Sequence, residues 1–275
     1  MAQTINTNMA AITAQRHLAN AQGSLATSME RLSSGLRVNS AKDDSAGLAI
    51  ASRMESQVRG QNMAIRNAND AISMSQTAEG AIGKITDMLQ RMRELAVQAA
   101  NASNTTADRG NLNAEFQALN SEVTRTIGST RFNGQAVVGS GAGTQSYQVG
   151  ELSTDRIDVV TKNLGADAQI TAVQTAAITT AAAASSAMVA IDAALSTANV
   201  ERAAYGAVQN RFEAIISTLQ VAASNNAASR SRIMDADFAT ETANLSRAQI
   251  LQQAGTAMMA QANQAPQQVM QLLRG

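Results

Sequence analysis

The sequence predicts a mainly α protein: a long antiparallel helical rod or coiled coil with a small β-hairpin region, its two termini paired as helices. Three observations predict it. Alanine fills about one position in five and proline occurs once in 275 residues, a composition that favours unbroken helix. Apolar side chains recur at steps of three and four over long stretches of both halves. Short β-like runs punctuated by glycine are confined to the middle of the chain.

Composition also excludes whole classes. Twenty-one basic and 21 acidic side chains leave no net charge, so neither nucleic acid nor an acidic lipid surface is an expected partner. Cysteine is absent and histidine occurs once, which removes thiolate and histidine metal clusters and thiol nucleophiles. No phosphate-binding glycine loop, GxSxG or HExxH pattern is present. An enzyme and a cofactor are therefore not expected. Residues 1–30 lack the apolar run of a signal peptide, and no stretch reads as a membrane span. Residues 248–273 are uncharged but hold eight glutamines, which suits a packed polar–apolar assembly better than lipid.

The first helix is expected over residues 5–32. Ile5, Met9 and Ile12 share a face that Leu18, Leu25, Met29 and Leu32 continue, and Gly35 supplies a left-handed cap. Leu36 to Asp44 form a polar loop in which Asp43 and Asp44 hold a turn and a cap. A second helix spans Ser45 to Ala100. Its stripe runs through Ile50, Met54, Val58, Ile65, Ala68, Ile72, Ile82, Ile85, Leu89, Met92, Ala96 and Ala99, and its length of about 80 Å exceeds that of an ordinary globular helix. Asn101 to Asn104 turn the chain, and a third helix runs from Asp108 to Ile127.

Asn133-Gly134 is a tight-turn signal. The runs at Val137-Val138, Tyr147 to Val149 and Ile157 to Val160 complete a hairpin region over 131–162. Residues 163–186 are rich in Ala and Thr, weakly patterned, and expected to be a variable or flexible surface segment. The cleanest seam follows: Met188, Ile191, Leu195, Ala198, Arg202, Tyr205, Val208, Phe212, Ile215, Leu219 and Ala222. Only Arg202 breaks it, and five such heptads signal a coiled coil. Leu195, Phe212 and Ile215 are expected to be buried against the 45–100 helix as the rod core. Asp235-Ala236-Asp237 breaks the helix and caps the next one. That last helix runs from Phe238 to Leu273, with Pro266 expected to bend it or end its regular part. His17 is read as a packed or interfacial side chain, and the 13 methionines mainly as stripe residues.

Several segments are recognisable. Leu32-Ser-Ser-Gly-Leu-Arg-Val-Asn-Ser-Ala-Lys-Asp-Asp-Ser-Ala-Gly-Leu-Ala-Ile50 closely resembles the N-terminal signature of bacterial flagellins. Gln90-Arg-Met-Arg-Glu-Leu-Ala-Val-Gln98, Arg131-Phe-Asn-Gly134 and Gly206-Ala-Val-Gln-Asn-Arg-Phe212 resemble the same family. So do Ser229-Arg-Ser-Arg-Ile-Met-Asp-Ala-Asp-Phe-Ala-Thr-Glu241 and Ser246-Arg-Ala-Gln-Ile-Leu-Gln-Gln-Ala-Gly255. These motifs cover both terminal thirds in the family's order.

The resemblance implies an inner terminal-helix domain, 1–44 with 236–275, and a helical rod domain, 45–187 with 188–235. No outer domain fits between the hairpins and the return helix, which implies a minimal member. The implied function is a structural subunit that polymerises into the bacterial flagellar filament for swimming motility. The alternative is a hook–filament junction protein; a coiled-coil signalling protein fits the hairpin block and glutamine-rich tail less well. The implied partners are further copies of the chain, an export chaperone with the type III export apparatus, and the filament cap and hook-junction proteins. The implied location is extracellular. Arg91, Leu95 and Glu115 match positions that the family uses for lateral packing and for recognition by the innate receptor Toll-like receptor 5.

Overall fold

The computed structural model describes the backbone of residues 7–272 and the side chains of residues 7–264. Among them the elements follow in the order α1 (Met9–Ser34), α2 (Ser45–Ala100), α3 (Thr106–Ser129), β1 (Arg131–Phe132), β2 (Gln135–Ala136), β3 (Thr144–Gln148), β4 (Arg156–Val160), α4 (Ala168–Gln174), α5 (Ala181–Met234) and α6 (Phe238–Leu272). The fold is mainly helical, with α2 paired to α5 and α1 paired to α6. Two compact units divide the chain: residues 1–56 with 225–275, and residues 57–224. Ile5 and Leu273, expected at the outer ends of the terminal helices, lie outside the described residues.

Local chemistry fixes the helix ends. Gly35 takes φ 71° after α1 and donates its N–H to the Arg31 carbonyl, a conformation in which any other side chain would be strained. Asp44 Oδ1 accepts from Gly47 N–H at 2.7 Å and so caps the start of α2. Asp43 Oδ2 gathers the N–H groups of Asn39 and Ser40 and the Ser40 hydroxyl. Both carboxylates thus hold the loop. The cap of α3 is Thr105, which forms a capping box with Asp108; that helix starts at Thr106, two residues before the expected Asp108. Asp237 accepts from Ala239 and Thr240 N–H at the head of α6. Helix α6 is not ended by Pro266 but continues to Leu272.

In the unit of residues 57–224, one continuous core holds the elements together. Met74, Ile82, Ile85, Leu89 and Met92 of α2 are fully buried with Phe116 of α3 and with Ile191, Ala194, Ala198 and Phe212 of α5. Two ion pairs show that α2 and α5 run antiparallel. Arg93 bonds Asp192 at 2.7 Å, and Arg202 lies 3.8 Å from Glu79. The seam-breaking Arg202 therefore reaches an acid on the partner helix, and Gln209 donates to the other oxygen of that acid at 3.0 Å. Arg93 and Asp192 are about half exposed, where ion pairs set register more than stability. Burial raises the Tyr205 pKa to about 12, with the Glu201 charge adding to it; the phenol lies 3.4 Å from the Val137 carbonyl.

Two small antiparallel sheets close this unit. Asn133 and Gly134 both take positive φ, 48° and 81°. That is the pattern of a tight type I′ turn joining β1 to β2. Strands β3 and β4 pair from Thr144↔Val160 to Gln148↔Arg156. Ile157 and Val159 face the core while Arg156, Asp158 and Val160 face out. Tyr147 of β3 meets Phe212 of α5 edge-on, ring centroids 5.9 Å apart.

The expectation of a flexible surface segment at 163–186 is corrected. Leu164, Ile170, Val173, Ile178 and Ala184 are buried, and α5 already begins at Ala181. The cause is a row of amides on α3. Asn113 Oδ1 accepts from Ile178 N–H at 2.9 Å, while Gln117 and Asn120 donate to the Ala176 and Gln174 carbonyls at 2.8 Å each. Side chains on a neighbouring helix thus satisfy this segment's backbone groups. Lys162 adds an ion pair of 2.8 Å to Asp167.

A second correction concerns membrane spans. Helix α5 is long and apolar enough to cross a membrane by length and composition. Alanine rather than large apolar side chains supplies most of that character. Asp192 in this stretch pairs with Arg93, and Ile191, Ala194 and Ala198 are committed to the core.

Candidate assembly and recognition surfaces

The terminal helices meet along one thin seam. On α1 the inward positions are Ala11, Ala14, Leu18, Ala21, Leu25 and Ser28, which alternate by threes and fours as in a coiled coil. Only Leu18, Ala21 and Ser28 are buried. Helix α6 answers with buried Glu241 and Ala248. Gly255 of α6 faces Leu18, and a β-carbon there would sit 3.4 Å from Leu18 Cδ1, an ordinary contact distance. The polar part of the seam is one network. Ser28 Oγ donates to Glu241 Oε1 at 2.6 Å, and Arg31 Nη1 lies 3.8 Å from Glu241 Oε2. At the far end Asn8 donates to the Ala262 carbonyl at 2.7 Å.

Small side chains leave this pair little buried apolar area. Most of its large apolar side chains point elsewhere. Met9, Ile12, Met29, Phe238, Ile250, Leu251 and Met258 are between 43% and 65% exposed. Such a density of bare apolar groups marks an association surface. Met9, Met29 and Met258 are therefore exposed side chains rather than stripe residues. His17 is exposed as well.

In the unit of residues 57–224, Arg91 of α2 sits between two acids. Its Nη1 donates to Glu94 Oε2 at 2.8 Å, and its Nε and Nη2 donate to Glu115 Oε1 of α3 at 3.1 and 2.9 Å. The bonds to Glu94 and then Glu115 hold the guanidinium pKa above its ordinary value. Arg91, Glu94 and Glu115 are all about half exposed or more, so the cluster is open to a partner. Leu95 is not part of that surface. It is 1% exposed and belongs to the core. Helix α2 packs on both α3 and α5, so its apolar stripe is wide enough to take in position 95. The apolar side chain left exposed on this turn is Val97. Of the expected rod-core residues, Phe212 is fully buried, while Leu195 and Ile215 are partly buried against the same cluster.

No group of three or more His, Asp or Glu side chains that could hold a metal occurs among the described residues. A core of long paired helices, with terminal helices that pair thinly and leave apolar side chains bare, defines a self-associating structural subunit. Residues 5–140 match the bacterial flagellin N-terminal helical region and residues 188–273 match the bacterial flagellin C-terminal helical region. The chain belongs to the bacterial flagellin family.

Individual relatives agree. A flagellin of Halalkalibacterium halodurans is 44% identical over 270 residues, covering 98% of this chain and 99% of the relative. Polar flagellin F of Vibrio parahaemolyticus is 34% identical over 376 residues, covering 99% and 100%. That longer alignment means that the Vibrio protein carries residues with no counterpart here, in keeping with a chain that lacks outer domains. The crystal structure of Bacillus cereus flagellin is similar with a TM-score of 0.50 at 28% identity, covering 56% of this chain and 88% of that one. The protein is a non-enzymatic filament subunit of the bacterial flagellum, located outside the cell, and it self-polymerises.

Proposed function

We propose that polymerisation is driven from the paired ends, residues 1–44 with 236–275, as an inner terminal-helix domain, and that residues 45–187 with 188–235 form a helical rod domain. The observation that carries this reading is the set of bare apolar side chains on α1 and α6. One thin seam of Ala, Ser and Gly stabilises an isolated helix pair only weakly; a second copy covering Ile250, Leu251 and Met258 would supply the missing burial. Ile250→Asp with Met258→Asp in the full chain tests it. Purified monomers of the variant should keep their helical spectrum and form no filaments by electron microscopy. Normal filaments from the variant would contradict the reading.

The Arg91–Glu115 surface serves lateral packing between subunits in this account. It is also the face that a soluble monomer would present to Toll-like receptor 5. A half-exposed guanidinium set between two acids can anchor such an interface, because its forked donors suit carboxylates and carbonyls. Leu95 contributes from below, by supporting the turn that carries Arg91. Arg91→Ala should weaken both receptor signalling by monomer and filament stability; an effect on assembly alone would make the surface purely structural. Before assembly the chain passes from an export chaperone to the type III export apparatus. It then joins the filament between the hook-junction proteins and the cap.

A further inference from the structure

The edge of strand β3 that faces away from β4 is open. Interstrand bonds alternate along an antiparallel pair. Thr161 N–H donates to the Gly143 carbonyl at 3.0 Å, and Val149 N–H donates to the Asp155 carbonyl at 2.9 Å. With Gln145 opposite Val159 and Tyr147 opposite Ile157, the alternation turns the backbone groups of Gln145 and Tyr147 toward β4. Those of Thr144, Ser146 and Gln148 turn away from it. The Gln148 carbonyl accepts from Asn67 Nδ2 of α2 at 2.9 Å. The N–H and C=O groups of Thr144 and Ser146 have no partner among the described residues, and no third strand joins this sheet. An uncovered edge is a template for another strand, which proteins usually blunt with charge or proline. The strand Thr144-Gln-Ser-Tyr-Gln148 has neither.

A pocket of about 680 Å³ follows this edge. Four consecutive residues, Thr144 to Tyr147, line it, and no residue of β4 does. Successive side chains point to opposite faces of a strand, so a wall of four in a row is the strand's edge rather than one of its faces. The remaining walls come from the β1–β2 turn and from Asp70 of α2. Asp70 is the one charged side chain there; it is exposed and makes no hydrogen bond or ion pair among the described residues. Burial, and after it the Asp70 charge, raises the Tyr147 pKa above its ordinary value, which sets the carboxylate near the phenol. Phe132 and Tyr147 add two half-buried rings to the lining. A free carboxylate with aromatic rings beside it suits a cation, through charge-assisted hydrogen bonds and attraction to the ring faces.

We propose that the pocket bounded by β3, the β1–β2 turn and α2 is a docking site for an extended segment of another protein, which adds a strand to the open edge of β3 and sets a Lys or Arg side chain against Asp70. Backbone bonds to Thr144 and Ser146 hold the segment, while the acid and the rings select its side chain. The site lies within residues 57–224 and uses neither the terminal helices nor the Arg91–Glu115 cluster.

The probe is a labelled peptide of alternating Thr and Val with one central Arg, titrated against full-length monomers and read by fluorescence anisotropy. Asp70→Asn keeps the shape and removes the charge. It should weaken binding roughly tenfold at low salt, and added salt should bring wild type toward the variant. Replacing the peptide's Arg by Gln should cost as much. N-methylation of the peptide amides on one edge should abolish binding, and on the other edge should be tolerated. Ser146→Pro removes a donor from the open edge without touching the ladder to β4 and should abolish binding too, with helix content checked by circular dichroism. In wild type the bound peptide should slow hydrogen exchange at Thr144 and Ser146. No saturable binding, or binding indifferent to Asp70→Asn or to N-methylation on either edge, would overturn the proposal. So would a neutral oligosaccharide that binds at Asp70 where the peptide does not. If the monomer binds no peptide while Asp70→Asn and Ser146→Pro block filament assembly, the edge belongs to a second copy of the chain, and the proposal is again overturned.

Discussion

Ser28 of α1 donates its hydroxyl proton to Glu241 of α6 across 2.6 Å, and both side chains are buried. These residues lie 213 positions apart. Their bond is the polar anchor of a helix pair that has few large apolar contacts of its own. A buried carboxylate needs such donors, because an unsatisfied one is costly.

Ser28→Ala removes the donor and leaves the carboxylate buried. It should weaken the α1–α6 pairing by about 1–3 kcal/mol. Amide hydrogen exchange along α1 of the monomer would read this as faster exchange over Leu18 to Ser28. Ser28→Thr, which retains a hydroxyl, should lose less; equal loss in both variants would assign the effect to packing alone.

Phe212 anchors the opposite kind of contact. It is fully buried and meets Tyr147 edge-on. Phe212→Ala should cost about 3–5 kcal/mol in monomer unfolding. Ile215, only partly buried against the same cluster, should lose distinctly less on truncation to Ala. A loss below about 1 kcal/mol at Phe212 would mean that the seam is not a monomer core.

The amide row on α3 predicts where the connecting segment loosens. Gln117 and Asn120 hold the Ala176 and Gln174 carbonyls. Gln117→Ala with Asn120→Ala should open residues 174–178 to protease, at about 0.5–1.5 kcal/mol per bond removed. The helical core should stay intact by circular dichroism. An unchanged cleavage pattern would show that Ile170 and Val173 hold the segment unaided.

Acid should act first on the exposed carboxylates that cap helices and pair with arginine. Bonds from the Thr105 hydroxyl and then its N–H hold the Asp108 carboxyl below its ordinary value of 3.8, and Arg93 does the same for Asp192. A pKa lower in the folded than in the unfolded chain gives stability that is fully present above the unfolded value. It is lost as pH falls through the folded one. The thermal midpoint of monomers should therefore decline as pH is lowered below about 4. In Asp108→Asn, which can still accept a bond but does not titrate, the decline should be smaller. An identical pH profile in the variant would remove Asp108 from the account.

Much of this architecture was legible from residue spacing. Helix α2 was placed at Ser45 to Ala100 because an aspartate cap and an Asn-rich turn bracket a long stripe. The Asn133-Gly134 turn was legible because few other dipeptides accept two positive φ values. Three features were hidden for physical reasons. The early start of α5 lies in a run of alanines, which offer no contrast between a buried and an exposed face. Order in residues 163–186 depends on amides some 60 positions earlier, at Asn113 to Asn120, and so leaves no local mark. Burial of Leu95 could not be told from its i, i+4 relation to Arg91, because α2 packs against two neighbours rather than one. At the terminal pair the exposed apolar residues were visible in the sequence. Which of them face the partner helix was not.

The central claim is that the ends of the chain are only weakly ordered by their own contacts and are fixed by polymerisation. Hydrogen exchange read by mass spectrometry on full-length monomers and on filaments tests it most directly. The account predicts fast exchange over α1 and α6 in monomers and strong slowing of both in filaments, with Ile82 to Ala99 of α2 protected in each state. Strong protection of α1 and α6 in the monomer, equal to that in the filament, would contradict it.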